Sequence, residues 1–319
     1  MLVPNDNAAP KSNRVKSQAQ AVDFASKEVL LNSGEKLAYD YLVIASGALS
    51  KAPVEPPVSG ADERAYYEDV AAKIDASKRV LIVGGGPVGI ELAGEIKAKH
   101  KSKEISIVTH AEAFCHKMGF SKEVSDQIQS ELSKQGIKCI FNHSVDLGQD
   151  ASAQMLGYAP AKDFGELLGA FDLVINATGA RPNTAWIDKS KLTSSGHVKV
   201  NEYLQVEGLE NVFAIGDCNN VPEPKNFTTC GSKTFMEGFP LGQADIAAEN
   251  IKHLAQGNPV SEKYKPNNQY RAGLIPIGPS AAVAVGMPQG FADYMAQTFF
   301  YHGQWAYAKA GDAPELPAL

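Results

Sequence analysis

Apolar and polar positions along the first sixty residues predict short strands separated by turn residues. Alternating patterns over Ala21–Phe24 and Glu28–Leu31, followed by Asn32–Gly34, predict a β hairpin or meander. The apolar run Tyr41–Gly47 ends in small residues, which is typical of a buried parallel strand whose C-terminal end lies near a ligand. A proline-rich connector, Pro53–Pro57, then separates this segment from the next one.

The middle of the chain alternates strand and helix patterns, as in an α/β fold. Arg79–Val83 predicts a buried strand, Val88–Lys99 a helix and Glu104–Thr109 a second strand, which together make a βαβ unit. The same periodicities predict a helix at Glu123–Gln135 and strands at Ile137–Phe141 and Phe171–Ala177. Between the last two strands, residues 144–169 have only weak periodicity. A β meander would be usual at this place in such a domain.

The last third of the chain predicts a return to mixed structure. Val198–Val200 and Asn211–Ile215 have strand patterns, and Leu241–His253 has a helical pattern that begins around Gly242. The tail, Tyr270–Leu319, mixes short strand patterns with many aromatic residues. We therefore predict four segments: 1–74, 75–180 as a nucleotide-binding domain, 181–255, and the tail 256–319.

Composition and charge exclude several classes of protein. The chain has 319 residues, is 44% hydrophobic and carries a formal net charge of -6, so we expect a folded protein without a nucleic-acid partner. No apolar run is long enough to span a membrane, and the pattern of a secretory signal is absent from the first residues, so we expect a soluble, cytoplasmic protein. The scattered histidines and the widely spaced cysteines predict neither a metal site nor a redox-active cysteine pair.

The segment Arg79–Glu95, RVLIVGGGPVGIELAGE, places a G-x-G-x-x-G motif directly after a predicted strand and at the start of a predicted helix. In this context Gly84 permits a tight turn, Gly86 lets the backbone approach a pyrophosphate, and Gly89 allows close packing of helix and strand. The helix N-terminus supplies amide donors and a positive dipole end, so Pro87 and Val88 belong to the predicted site. The motif predicts dinucleotide binding.

Three residues near this motif, His110, Glu112 and Glu91, could affect the nucleotide, and His110 and Glu91 also have a purely structural interpretation. The predicted second strand ends in Thr109-His110 rather than in the acid typical of NAD sites, so strict NAD preference is not encoded. His110 could approach a 2′-phosphate or only cap the strand in solvent, and Glu112 could reach back. Glu91, placed in the first turn of the helix, either faces the ribose and nicotinamide or only interacts with the helix dipole.

A second candidate site follows the strand pattern NVFAIGD, which ends in Gly216-Asp217. A carboxylate at the C-terminal end of a strand, after a glycine, is well placed to accept hydrogen bonds from a ribose or polyol chain. An exposed aspartate in a turn is the structural alternative.

Four motifs, in the order LVIASG, the glycine fingerprint, ATGARPNT and NVFAIGD, make the chain resemble the pyridine-nucleotide:flavin oxidoreductases over about residues 21–255. Closer matches, SSGHVKVNEYLQVEGLENVFAIGDC among them, resemble the AIF-like, ferroptosis-suppressor-type group. This resemblance implies an α/β, two-dinucleotide-binding Rossmann-like fold. In that fold the nicotinamide domain is inserted into a flavin domain formed from 1–74, 181–255 and the tail.

The resemblance also implies an activity. Group members pass hydride from NAD(P)H to FAD and electrons on to a quinone, so we expect both cofactors, a quinone-type acceptor and NAD(P)H:quinone oxidoreductase activity. Glu91 matches a glutamate beside the nicotinamide and flavin, Asp217 the ribityl-binding aspartate, and Lys309 loosely matches a tail lysine near the flavin. By the same resemblance Ser46, Gly47, Gly179 and Gly216 are candidate cofactor-binding residues. The aromatic tail could line a quinone pocket or touch a membrane or mitochondrial surface, or only pack in the core.

Two departures from the group's pattern affect these expectations. The group begins with its own strand–GxGxxG–helix unit for the ADP half of FAD, and nothing before Leu42 has that pattern. Residues Asn226–Pro240 separate the GD motif from the following helix by more than the group usually does. We therefore expect an N-terminally incomplete flavin domain. The alternative function is a non-catalytic nucleotide-binding or interaction protein derived from the same group.

Overall fold

A computed structural model of the chain describes residues 13–50, 53, 63–147, 158–163, 165, 169–223, 242–266, 273–279 and 281–285. The described residues fall into two compact units: the first is made of those within 50–179 and 273–285, and the second of those within 13–49 and 180–266. Lys309, the tail aromatics, Cys230 and the segment 226–240 lie outside the described residues. The predicted domain boundaries stay a prediction.

The first unit contains a five-stranded sheet made of β6 (Arg79–Val83), β7 (Glu104–Val108), β8 (Lys138–Ile140), β9 (Tyr158–Asp163) and β10 (Ala170–Asn176). The strand order is β8-β7-β6-β10-β9, and β9 alone is antiparallel. The helices are α1 (Glu63–Ala76), α2 (Pro87–Lys99) and α3 (Lys122–Lys134). The predicted βαβ unit, β6-α2-β7, is therefore confirmed, whereas α1 was not predicted.

Alternation along β6 explains why this strand forms the centre of the sheet. Val80 and Ile82 belong to the apolar cluster that contains α2 and α3, whereas Leu81 and Val83 belong to a cluster on the opposite face. All four side chains are buried, as expected for a central parallel strand covered on both faces. The carboxyl ends of β6 and its parallel neighbours therefore share one edge of the sheet.

A C-terminal hairpin covers part of α2 and α3 in the same unit. Its strands are β13 (Gly273–Pro276) and β14 (Ala282–Val285), and Gln135 donates a 2.8 Å hydrogen bond to the carbonyl of Ile277. A Cβ on Gly94 of α2 would lie 2.5 Å from the backbone nitrogen of Gly278, so only glycine permits this approach. The hairpin thus packs on the first unit. The resemblance, in contrast, implies that the tail belongs to the flavin domain.

The second unit contains an antiparallel meander, β1 (Ala19–Asp23), β2 (Glu28–Leu31) and β3 (Lys36–Ala38), as predicted. Strands β4 (Leu42–Ile44) and β12 (Val212–Ala214) pair in parallel, and β5 (Ala48–Ser50) pairs with β11 (Ala180–Pro182) at the edge of the unit. Helix α4 spans Gln243–Ala255 with Gly242 as its N-cap, as the sequence predicts.

Two predictions for this unit were wrong in detail. Val198 and Val200 do not form a strand, because each makes only isolated bridges to different partners and no ladder continues between them. The run that contains β4 was predicted to be a buried strand. Ile44 is buried, but Val43 is 39% exposed, so the strand is covered only in part.

Candidate functional site

The glycine motif forms the turn between β6 and α2. Gly84 has a φ of +128°, and its N–H donates a 2.8 Å hydrogen bond to the carbonyl of Val108 at the end of β7. A Cβ on Gly84 would lie 2.2 Å from the carbonyl oxygen of Ala177, and a Cβ on Gly89 would lie 2.2 Å from the carbonyl oxygen of Gly84. These two glycines therefore allow the loop and the first turn of α2 to pack against the sheet edge.

Gly86 differs from its neighbours because nothing lies within 4 Å of the position that its Cβ would occupy. It is the N-cap of α2, with extended backbone angles of -85° and 175°, and Pro87 follows at the first helical position. The N-terminal amides of α2 and the positive end of its dipole adjoin this open space, which is the arrangement that binds phosphate groups.

The open space belongs to a cavity of about 240 Å³ at the carboxyl edge of the sheet. Of the predicted site residues, Gly84, Gly86, Pro87, His110 and Gly179 line this cavity. Val88 and Gly89 lie in the first turn of α2 behind it, and Val88 packs against the apolar core. The fold thus brings the two ends of the predicted site, the glycine loop and Gly179, to one cavity.

Three further lining residues, Cys115, His116 and Lys117, were not predicted. They are in the loop after β7, which folds back because the Cys115 N–H donates a 2.8 Å hydrogen bond to the carbonyl of Gly85. The Phe114 N–H also donates a 2.9 Å hydrogen bond to the buried hydroxyl of Ser125 on α3. The local sequence gives no periodic signal for this fold-back.

Glu91 lies in the second turn of α2, because the helix begins at Pro87 and has no acidic residue in its first turn. The prediction of a first-turn position was wrong by one turn. Burial, together with the smaller effect of the nearby Glu95 charge, raises the pKa of Glu91 to about 7. The pKa of Cys115 is raised to about 12, mainly by burial and also by the charge of Glu91, so these two side chains interact.

A second cavity, of about 670 Å³, lies within the second unit and is lined by Asp217. Polar side chains of Ser195, His197, Asn219 and Glu223 also line it, and the Ser195 hydroxyl lies 3.0 Å from Nδ1 of His197. Asp217 is in a short 3-10 turn that follows Gly216, whose φ is +74°. The cavity is large and polar enough for a polyol chain.

The other predicted residues of this site, Ser46 and Gly47, lie at the end of β4 beside that 3-10 turn. Gly47 has a φ of +65°. Burial raises the pKa of the Cys218 thiol, and the adjacent Ser46 and Gly47 act in the opposite direction. The thiol donates to the Ile44 carbonyl at 3.4 Å, so the two turns are in contact. Neither Ser46 nor Gly47 lines the cavity, although the next residue, Ala48, does.

Helix α4 fixes this turn through Gln243, a fully buried residue that the sequence did not mark as functional. Its Oε1 accepts hydrogen bonds from the Gly216 N–H at 2.9 Å and from the Asn219 amide at 2.7 Å. Its Nε2 donates to a carboxylate oxygen of Glu223 at 2.9 Å. Gln243 therefore links both sides of Asp217 to the start of α4.

The described part of the chain contains no cluster of three or more metal-ligating side chains. Its three cysteines, Cys115, Cys139 and Cys218, are free thiols. None of its helices is long and apolar enough to cross a lipid bilayer.

The chain is similar in sequence to one protein family and to several characterised proteins. The model of the family described as pyridine nucleotide-disulphide oxidoreductase matches residues 8–233. The chain is 30% identical to human ferroptosis suppressor protein 1 over 262 residues, covering 80% of the chain and 67% of that protein. It is 30% identical to apoptosis-inducing factor homolog A of Dictyostelium discoideum over 74% of the chain and 60% of that protein. It is 27% identical to an FAD-dependent oxidoreductase of Flammulina velutipes over 83% of the chain and 79% of that protein.

Solved structures agree on the fold. A ferredoxin reductase from Rhodopseudomonas palustris matches 78% of this chain and 60% of its own, with a TM-score of 0.53 and 21% identity. An NAD-dependent persulfide reductase from A. fulgidus matches 91% of this chain and 52% of its own, with a TM-score of 0.57 and 18% identity. The chain thus spans between half and two thirds of the length of these two structures.

Proposed function

The chain belongs to the pyridine nucleotide-disulphide oxidoreductase family, in its AIF-like, ferroptosis-suppressor-type group, and from this we propose that it binds NAD(P)H at the glycine loop of β6-α2 for transfer of hydride to flavin. FAD and NAD(P)H are the cofactors of this family. The observation that carries the proposal is the open space at Gly86, at the N-terminus of α2.

The residues present fit a nicotinamide dinucleotide. A Cβ at Gly86 would fill space that is free on all sides within 4 Å, and the amides of the first turn of α2 would hold the pyrophosphate. Gly179 and His110 line the same cavity and would bound the nucleotide on either side of the glycine loop. Backbone amides, rather than charged side chains, would thus donate the main hydrogen bonds to the pyrophosphate.

The fit to FAD is partial within the described residues. Asp217 is exposed at the wall of a polar cavity, in a turn that Gln243 fixes through Gly216 and Asn219, and it would accept hydrogen bonds from the ribityl chain. The Ser46-Gly47 turn adjoins it. The sequence has one strand–GxGxxG–helix unit, and it is the unit assigned above to the nicotinamide nucleotide. When bound, the flavin ring supplies the acceptor for hydride, and the protein orients and tunes the rings.

We propose a quinone as the electron acceptor, by similarity to the ferroptosis suppressor proteins. We also propose a cytoplasmic location, with peripheral membrane contact through the tail.

The role of Glu91 beside the nicotinamide and flavin is likewise a proposal. It is supported by the half-buried position of the side chain on α2 and by the raised pKa of its carboxyl group.

Replacing Gly86 with valine tests the nucleotide site. We expect Gly86→Val to abolish binding of both NADH and NADPH, because its side chain would occupy the space for the pyrophosphate, while the extended backbone accepts valine without strain. Binding is measured by calorimetric titration and folding by thermal unfolding.

The contrasting variant is Gly89→Val, whose Cβ would collide with the carbonyl oxygen of Gly84. This change should lower the unfolding temperature, whereas Gly86→Val should leave it nearly unchanged. Unaltered NADH and NADPH affinity in a folded Gly86→Val protein would refute the assignment of the site.

A further inference from the structure

The part of the nucleotide cavity next to the end of β7 is lined by hydrogen-bond donors and by no acid. His110, His116 and Lys117 line it, together with the hydroxyl-bearing Thr109, and no Asp or Glu is among its described lining residues. An imidazole, a hydroxyl and an ammonium group can all donate hydrogen bonds to an anion, and the ammonium group adds a positive charge. The chemistry of this edge therefore suits a negatively charged group.

The loop that carries these donors is fixed at several points. The Cys115 N–H donates to the carbonyl of Gly85, and the Phe114 N–H donates to the Ser125 hydroxyl, which ties the loop to both the glycine turn and α3. The Asn142 N–H donates a 3.1 Å hydrogen bond to the carbonyl of Ala111 from the strand on the other side. The donors are therefore held beside the glycine loop by backbone contacts that do not depend on a ligand.

Acidic side chains of the described residues neither line this edge of the cavity nor form a salt bridge with Lys117. Glu112 is exposed and does not line the cavity, although it is only two residues from His110. No carboxylate of the described residues forms a salt bridge with Lys117, in contrast to Lys122, which lies 2.7 Å from Asp126. Lys117, which lines the cavity, thus has no salt-bridge partner among the described residues.

In nicotinamide-dinucleotide sites the end of the second strand faces the adenosine ribose, where an acid accepts a hydrogen bond from the 2′-hydroxyl and a basic group accommodates a 2′-phosphate. We propose that His110, His116 and Lys117 form a subsite for the 2′-phosphate, with Lys117 as its charged member, and that the chain prefers NADPH to NADH. This inference rests on the proposed nicotinamide-nucleotide function, because it assigns the adenosine end of the same ligand.

Binding of the oxidised nucleotides and their adenosine fragments to the full chain tests this subsite without any redox reaction. The probes are NADP+, NAD+, adenosine 2′,5′-bisphosphate and adenosine 5′-monophosphate, titrated calorimetrically at low and at moderate salt. We expect NADP+ and the bisphosphate to bind about tenfold more tightly than their partners without the 2′-phosphate. We also expect this preference to weaken with salt, because the contact is exposed to solvent.

Replacing Lys117 identifies the residue responsible. Lys117→Ala should lower NADP+ affinity about fivefold, the upper range for a solvent-exposed ion pair, and should leave NAD+ affinity unchanged. Lys101→Ala is the matched control: Lys101 is an exposed lysine of the same unit that does not line the cavity, and its loss should alter neither affinity. His110→Glu should reverse the preference toward NAD+, since a carboxylate accepts from a 2′-hydroxyl and repels a phosphate.

The possible failures are distinguishable. Equal binding of NADP+ and NAD+, or a preference that Lys117→Ala and His110→Glu leave unaltered, would overturn the subsite while leaving the nucleotide site intact. If neither nucleotide binds, the proposed function itself fails and the subsite fails with it.

Discussion

Glu91 shows how one buried residue links the local environment to the stability of the whole chain. Its folded-state pKa of about 7 lies above the ordinary value of 4.5, so the folded state holds a proton that the unfolded state releases as the pH rises. The contribution of Glu91 to the free energy of unfolding therefore falls as the pH rises from about 4.5 to 7. Above that range the full destabilisation by the buried, ionised carboxylate is present.

We therefore expect Glu91→Gln to stabilise the protein at about pH 8 by roughly 2 kcal/mol, a value discounted for partial exposure, and to have little effect at about pH 4. Glu95→Gln is the paired variant: it removes the neighbouring charge that raises the pKa of Glu91, so it should shift the fall in stability to lower pH. Urea denaturation across this pH range measures both effects. A parallel pH dependence in wild type and Glu91→Gln would show that Glu91 titrates normally.

At the scale of elements, the start of α4 holds the turn that carries Asp217. Gln243 is completely buried and accepts hydrogen bonds from Gly216 and Asn219 while donating to Glu223. Replacing it with leucine removes all three bonds, so the Gly216 N–H loses its partner and the Asn219 amide keeps only its bond to the Ala214 carbonyl.

We expect Gln243→Leu to destabilise the protein by about 3 kcal/mol, the cost of several unsatisfied buried groups. It should also weaken any flavin binding that the chain shows, because the turn would no longer be fixed. Glu249→Gln, on the exposed side of the same helix, should change the free energy of unfolding by less than about 0.5 kcal/mol. Chemical denaturation of both variants checks this prediction, and equal stability of the two would contradict the anchoring role of Gln243.

At the scale of the whole molecule, the two proposed cofactor sites differ in the residues that would hold their ligands. The proposed nicotinamide site combines the glycine loop, a helix N-terminus and a cavity within one unit, whereas the proposed flavin site has Asp217 and the Ser46-Gly47 turn among the described residues.

We therefore expect the 319-residue chain, expressed by itself, to bind NAD(P)H but to purify with little FAD, so that transfer of hydride from NAD(P)H depends on added FAD. Absorbance at about 450 nm, the flavin band, measures the FAD content directly. A monodisperse yellow preparation with near-stoichiometric FAD from this chain alone would contradict the expectation.

The sequence by itself determined those parts of the protein whose signals are local. The glycine spacing, the buried runs of β6 and β10 and the helical periodicity of α2, α3 and α4 identified the nucleotide-binding fold, since hydrophobic period and turn residues act over a few positions. The motif Gly216-Asp217 was visible for the same reason.

Only the tertiary structure decided how distant segments meet. The fold-back that brings Lys117 to the cavity depends on backbone bonds to Gly85 and on Ser125 of α3, and Gln243 reaches Gly216 across 27 residues of chain. Residue Gly94 packs against Gly278 of a hairpin almost two hundred residues away. Such contacts leave no periodic trace, because they are fixed by the packing of whole elements rather than by the order of side chains within one of them.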